Sequence, residues 1–180
     1  MSLRKIVALF VLSVISAVPL DAAEDGPRVI VVTLDGLRFQ EMFGGADEAY
    51  FKRNANGEID PASARYAGAT KEARRAALMP FVWNTLAKQG EIFGDPAAGS
   101  RSHVTNGLWF SYPGYNELLT GAPDPRIDSN GKVPNPNVSV LEWLNDRPGF
   151  QGRVVAFGAW DVLPFILNTE RSRLPVGTGF

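Results

Sequence analysis

Two residues of this sequence, Ser111 and Asp35, combine a side chain able to do chemistry with a setting that favours it. Ser111 precedes Tyr112-Pro113-Gly114, a sharp corner that leads into a helix. Its hydroxyl should therefore lie at or just before a helix N-terminus, where backbone N–H groups favour anions. Asp35 follows a β-branched run and precedes Gly36, and a carboxylate at the end of a strand can bind a metal cation. Each residue also has a plain structural use, because Ser111 could cap the helix and Asp35 could cap a turn.

A serine nucleophile must be activated, either by a general base or by a metal ion that lowers its pKa. The chain has no cysteine, which excludes disulfides, thiolate zinc sites and a cysteine nucleophile, and His103 is its only histidine. A Ser111–His103 pair would make the protein a serine hydrolase, although Ser111 does not lie in a Gly-x-Ser-x-Gly elbow. Activation by a metal ion fits better, because Asp35 already offers a ligand.

The strands that would position these residues are predicted from apolar runs. Arg28–Leu34 is a continuous run that ends directly before Asp35, and it predicts a strand buried on both faces. A second buried strand is predicted at Arg153–Phe157. A strand approach over Val104–Phe110, broken at Asn106-Gly107, should lead to Ser111. The last residues, 173–180, predict no closing helix or strand.

Helices separate the predicted strands. Lys71–Leu78 favours a helix, Pro80 is well placed to begin a second helical turn, and Gly90 should end it. Further helices are predicted to begin at Asn116 and to span Val138–Leu144. Strand, helix and strand therefore alternate, which predicts an α/β fold in which a mostly parallel sheet is covered by helices.

Residues 1–23 are predicted to be a signal peptide. Arg4 and Lys5 precede the apolar run Ile6–Leu20, and Ala23 lies in a plausible cleavage region. The run is short for a membrane span of about 20 residues. We therefore expect an exported protein, periplasmic or secreted, with no stable membrane anchor. A net charge of −1 gives no reason to expect nucleic acid as a partner.

Three segments, in their order along the chain, resemble the alkaline phosphatase superfamily, in particular its type I phosphodiesterase/nucleotide pyrophosphatase and sulfatase-like branches. They are VIVVTLDGLR at 29–38, SYPGYNELLTG at 111–121 and FGAWDVLPFILN at 157–168. The resemblance implies an alkaline-phosphatase-like layered fold and a metal-dependent hydrolase of small-molecule phosphate or sulfate esters.

The same resemblance implies roles for individual residues. Asp35 takes the position of a metal ligand, and Ser111 takes that of the nucleophile, which bridges two divalent metal ions, with zinc expected. Asn130 matches in approximate spacing an asparagine that hydrogen-bonds a substrate oxygen, and Asn106 is its rival.

The sequence departs from that family in its metal ligands. Relatives carry further Asp and His ligands after the nucleophile, whereas the one histidine here precedes Ser111. Asp161 follows Trp160 at a position that is not a ligand in the family. We therefore expect residues 24–180 to be the N-terminal part of such a hydrolase domain, from a truncated gene or a fragment, carrying only the nucleophile half. The two metal ions are then expected in the complete enzyme rather than in this chain alone.

Two alternatives to that hydrolase stay open. An inactive fragment or relic of the same fold would keep an anion-binding corner at Ser111 without a complete metal site. An unrelated exported serine hydrolase would instead use Ser111 and His103, and its activity would be insensitive to chelators.

Overall fold

The computed structural model describes Gly26 and residues 28–179. The predicted signal peptide, residues 1–23, lies outside this range. The chain divides into two compact units, residues 1–33 and 34–180, and every element named below belongs to the second. Within the described residues, no helix is both long and apolar enough to cross a membrane.

Helices account for most of the regular structure of the second unit. Two short strands, β1 (Ala156–Gly158) and β2 (Val176–Thr178), form its sheet. A π-helical turn at Val82–Leu86 precedes α4, and 3-10 helices span Glu48–Tyr50 and Pro96–Ala98. The α-helices in chain order are α1 (Phe39–Gly44), α2 (Pro61–Ala64), α3 (Lys71–Leu78), α4 (Ala87–Gln89), α5 (Ser111–Thr120), α6 (Val140–Asn145), α7 (Leu163–Ile166) and α8 (Thr169–Ser172).

The two strands run parallel and are joined through α7 and α8. In their register Phe157 lies opposite Gly177, and a Cβ at Gly177 would come within 2.9 Å of the Phe157 ring. Glycine at this position therefore makes room for the phenylalanine of the neighbouring strand. A parallel pair joined by helices confirms the α/β prediction at a coarse level.

Two of the predicted strands are not formed. Residues 28–34 have no regular secondary structure, and Val29 and Ile30 are 87% and 85% exposed, so the prediction of a buried strand there is wrong. The prediction of a strand at Val104–Phe110 is also wrong. A β-branched composition favours a strand only where a neighbouring strand supplies the hydrogen bonds, and neither run has such a neighbour among the described residues.

The C-terminal part holds a strand that the sequence did not predict. The strand expected at Arg153–Phe157 is found slightly later, as β1. The expectation that residues 173–180 contain no helix or strand is wrong, because β2 lies there. Val176–Thr178 is too short and too rich in small residues to stand out from its sequence, and it becomes a strand through pairing with β1.

The predicted helices agree with the structure more closely than the predicted strands, because neighbouring residues determine where a helix begins and ends. Helix α3 has the predicted bounds, and the Thr70 hydroxyl caps it by accepting from the Ala73 N–H at 3.2 Å. The helical segment that follows ends at Gly90, as predicted. Helix α6 begins at Val140, two residues later than predicted, because Ser139 is its N-cap.

Helix α5 begins at Ser111, so the Tyr-Pro-Gly corner lies inside its first turn rather than before it. Pro113 is tolerated there because the first N–H groups of a helix have no intrahelical acceptor to lose. The first hydrogen bond of the helix runs from the Gly114 N–H to the Phe110 carbonyl at 3.3 Å. The helix ends at Gly121, which adopts the left-handed conformation with φ 80°.

The two hydrophobic core clusters are formed by residues between Tyr112 and Leu174. Leu119 of α5 packs against both clusters, so this helix is central to the core. The first cluster consists of Tyr112, Ile127, Val162 and Ile166, and the second of Val154, Leu167 and Leu174.

Replacing Ser139 by alanine should lower the free energy of unfolding by about 1 kcal/mol. Ser139 is 2% exposed, and its hydroxyl accepts from the Glu142 N–H at 3.1 Å at the start of α6. Chemical denaturation of Ser139→Ala beside Ser129→Ala, at an exposed serine outside any helix, measures this loss. Equal unfolding midpoints for the two variants would contradict the capping role.

Candidate functional site

Ser111 is the first residue of α5 and is half-buried. The N-cap position before it is held by Phe110, whose side chain cannot accept a hydrogen bond. Ser111 is therefore not the N-cap residue, and the helix begins without a cap from its own N-cap side chain. An exposed polar group or a bound anion could instead satisfy the first N–H groups of the helix.

Asn130 supplies part of that missing cap from outside the helix. Its Oδ1 accepts a hydrogen bond from the backbone N–H of Tyr112 at 2.9 Å. Asn130 itself lies on an exposed loop after α5. The structure thus brings together Ser111 and Asn130, two of the residues assigned to one site from the sequence, through the residue that directly follows Ser111.

Tyr112 holds the start of α5 against the rest of the core. Its side chain is 2% exposed, and its hydroxyl lies 2.8 Å from the Val133 carbonyl and 3.1 Å from the Phe165 carbonyl. Burial raises the pKa of Tyr112 to about 12, so the phenol stays neutral and keeps its donor. Ser111 is therefore followed by a residue whose backbone N–H and hydroxyl both form hydrogen bonds to later parts of the chain.

Asp35 lies on an exposed turn, in which Gly36 has the left-handed φ of 77°. A carboxylate in such a position is open to a cation from solvent. Among residues 28–179, however, no three His, Asp or Glu side chains are close enough together to hold a metal ion.

Asn106, the rival of Asn130, is used to hold its own segment against α5. Its Nδ2 donates to Glu117 Oε2 at 2.8 Å, and its Oδ1 accepts from the Leu108 N–H at 2.7 Å. Hydrogen bonds from Thr105 and Asn106 lower the pKa of Glu117. Both polar side-chain atoms of Asn106 are thus engaged, one with Glu117 of α5 and one with its own segment.

His103 and Asp161 are both exposed. His103 lies in the irregular stretch before α5, and the described part of the chain shows no hydrogen bond between it and Ser111. Asp161 pairs with Lys132, with 2.5 Å between Oδ2 and Nζ. This is an exposed ion pair, which stabilises little.

A polar network is centred on Asn135, and no pattern in the sequence predicts it. Asn116 and Asn135 are each 1% exposed, and Asn135 Nδ2 donates to Asn116 Oδ1 at 3.2 Å and to the Ile166 carbonyl at 3.1 Å. Asn137 Nδ2 donates to the same Asn116 Oδ1 at 3.1 Å and to Asp124 Oδ2 at 2.7 Å. The network joins α5 to the loop that precedes α6.

Two arginines complete this network. Arg171 donates to both carboxylate oxygens of Glu142 at 2.8 Å and to the carbonyls of residues 135, 136 and 137. Arg126 donates from Nε and Nη2 to the two carboxylate oxygens of Asp124. These hydrogen bonds, together with the one from Asn137, hold the pKa of Asp124 well below its ordinary value. The one sequence signal in this region, Asn-Pro-Asn-Val-Ser at 135–139, contains the acceptor pattern for N-glycosylation, but Asn137 Nδ2 is fully engaged in this network.

Comparison with protein-family models, with curated proteins and with solved structures finds no match to this chain. The assignment of a function therefore depends on the residues around Ser111 and on the sequence motifs that surround them.

Proposed function

We propose that this chain provides the serine-nucleophile half of a metal-dependent hydrolase of phosphate or sulfate esters, with an alkaline-phosphatase-like layered fold. The observation that carries the proposal is the hydrogen bond from the Tyr112 N–H to Asn130 Oδ1 at 2.9 Å. It places the side chain of Asn130 at the amino end of the helix that Ser111 begins. The family resemblance places the same two residues in one site, Asn130 by its approximate spacing and with Asn106 as its rival.

The geometry suits an anionic ester. The amino end of α5 carries the positive end of the helix dipole, and the Ser111 hydroxyl stands at that end, half-exposed. Asn130 uses its Oδ1 for Tyr112, while its Nδ2 has no acceptor within the described residues. That N–H group is the one we assign to a non-bridging oxygen of the substrate.

Asp35 is the proposed metal ligand, and the further ligands of a two-metal site must come from residues other than those described. We propose that the protein acts in the periplasm or outside the cell after removal of residues 1–23. An anion-binding relic of the same fold is the second candidate, favoured by the lack of a clustered set of metal ligands within residues 28–179.

Zinc and inorganic phosphate, titrated separately and together into the protein that includes the segment with the further ligands, should distinguish the two candidates. We expect the amide signals of Ser111 and Tyr112 in the nitrogen–proton correlation spectrum to shift with phosphate only when zinc is present. Asp35→Asn should weaken this zinc-dependent phosphate binding at least about tenfold. Asp146→Asn, the same change at an exposed carboxylate at the end of α6, is the control and should leave the titration unchanged.

The other outcomes separate the candidates. Phosphate shifts of equal size with and without zinc would favour the anion-binding relic. No shift at Ser111 or Tyr112 under any condition would contradict both proposals. Labelling of Ser111 by a fluorophosphonate that persists in chelator and is lost in His103→Ala would point to the serine hydrolase instead.

A further inference from the structure

The chain contains three Asn-Gly pairs, at 56–57, 106–107 and 130–131. In such a pair the backbone nitrogen of glycine can attack the side-chain carbonyl carbon of asparagine, because glycine has no Cβ to hinder the approach. We propose that Asn130 is a site of spontaneous deamidation accelerated by the amino end of α5, whereas the fold protects Asn56 and Asn106.

The surroundings of Asn130 leave the reacting groups free and polarise the carbonyl. Asn130 and Gly131 are exposed, and neither Asn130 Nδ2 nor the Gly131 N–H has an acceptor within the described residues. The carbonyl oxygen Oδ1 is different, because it accepts the Tyr112 N–H at 2.9 Å. That N–H belongs to the first turn of a ten-residue helix, whose dipole places positive charge at this end.

The reaction begins when a base removes the proton of the Gly131 N–H and the nitrogen attacks Cγ of Asn130. Negative charge then develops on Oδ1, where the Tyr112 N–H and the helix dipole stabilise it as an oxyanion hole does. The Cγ–Nδ2 bond breaks, ammonia leaves with a proton from water, and a five-membered succinimide remains. Water opens this ring at either carbonyl to give aspartate or isoaspartate, so the net reaction consumes one water and releases one ammonia.

The other two pairs lack this arrangement. Asn106 is held on both sides, since its Nδ2 donates to the Glu117 carboxylate at 2.8 Å and its Oδ1 accepts from the Leu108 N–H at 2.7 Å. Its side chain must leave both partners before it can turn toward Gly107. At the first pair the attacking group is occupied, because the Gly57 N–H donates to the Asn54 carbonyl at 3.0 Å.

Deamidation at residue 130 would change the charge beside Ser111. A new carboxylate would face the amino end of α5 and would repel an anionic ester, and an isoaspartate would in addition shift the group that caps Tyr112. This consequence rests on the proposed function, whereas the deamidation itself does not. The protein would then lose affinity for its substrate with age, as fast as the amino end of α5 promotes deamidation of Asn130.

The test is a time course of the purified chain in mildly alkaline buffer, folded and in concentrated urea, followed by digestion with trypsin and mass spectrometry. Cleavage after arginine and lysine gives fragments 54–65, 102–126 and 127–132, each of which contains one Asn-Gly pair. In the folded chain we expect Asn130 to deamidate roughly five- to tenfold faster than Asn106, the factor that one backbone hydrogen bond supplies. In urea the three rates should converge.

Gly131→Ala is the matched variant, because it hinders the attack but spares the fold. A Cβ at Gly131 would meet no atom closer than the Ser129 hydroxyl at 3.5 Å, so alanine fits there. Asn130 should then deamidate more slowly in both states, while Asn56 and Asn106 keep their rates. A folded-state rate for Asn130 that does not exceed its rate in urea, or that of Asn106, would overturn the proposal. Only mass is measured, so a failure of phosphate binding would leave this result intact.

Discussion

Replacing Arg171 by methionine should lower the free energy of unfolding by about 3 kcal/mol. Its guanidinium donates five hydrogen bonds, two to Glu142 and three to the backbone carbonyls of residues 135–137. The Glu142 side chain is 6% exposed, whereas that of Arg171 is 36% exposed. Methionine would therefore leave a carboxylate that is nearly buried without a partner, which costs far more than the loss of a surface ion pair.

Denaturant unfolding of Arg171→Met, with and without Glu142→Leu, separates the buried charge from the lost packing. Adding Glu142→Leu should recover part of the loss, because the double variant no longer buries a lone carboxylate. Arg153→Met, at an exposed arginine, is the control and should change the stability by less than about 0.5 kcal/mol. A single variant as stable as this control would show that the network around Asn135 does not depend on Arg171.

Asn135→Asp should be at least as costly, at about 4 kcal/mol near neutral pH, although the two side chains have the same shape. Asn135 Nδ2 donates to Asn116 Oδ1 and to the Ile166 carbonyl. The carboxylate would turn both of these contacts into repulsions between acceptors, in a position that is 1% exposed. The nearby Arg171 guanidinium would not neutralise the new charge without giving up existing partners, because it already donates to Glu142 and to the carbonyls of residues 135–137.

The loss of stability in Asn135→Asp should depend on pH, and burial of the new carboxyl decides the direction of that dependence. Burial raises the pKa of the introduced carboxyl in the folded state above its unfolded value, so the native state binds the proton more tightly. The difference in stability between the variant and the wild type should therefore shrink as pH falls below the folded-state pKa, where a protonated acid can donate to Asn116. Asn56→Asp, at an exposed position, should show neither the loss nor the recovery. A loss for Asn135→Asp that is independent of pH would contradict the mechanism.

The sequence predicts those parts of the fold whose causes are local. Helix α3 carries its own cap at Thr70 and its own stop near Pro80, so its bounds follow from neighbouring residues. Helix α5 was predicted to begin too late, because Tyr-Pro-Gly reads as a corner unless proline is allowed within the first helical turn. Strands depend on partners elsewhere in the chain, which explains both the unformed strand at 28–34 and the unexpected β2.

The candidate site shows the same limit. The position of Ser111 at a helix start was predicted and is confirmed, because the residues that follow it determine the helix. The hydrogen bond from Tyr112 to Asn130 spans 18 residues, and no local pattern announces it. The network of Asn116, Asn135 and Arg171 was missed for the same reason, since asparagines in loops usually serve turns.

The hydroxyl of Tyr112 has a consequence for the order in which the protein takes shape during synthesis. It bonds the carbonyl of Phe165, which lies 53 residues later in the chain. Closing a loop of that length costs conformational entropy that nearby contacts do not. Helix α5 and its contacts with Asn130 and Val133 can form before α7 is synthesised, but the contact with Phe165 can form only after α7 has emerged from the ribosome. Ser111 is therefore synthesised well before the last hydrogen bond of its neighbour Tyr112 can form.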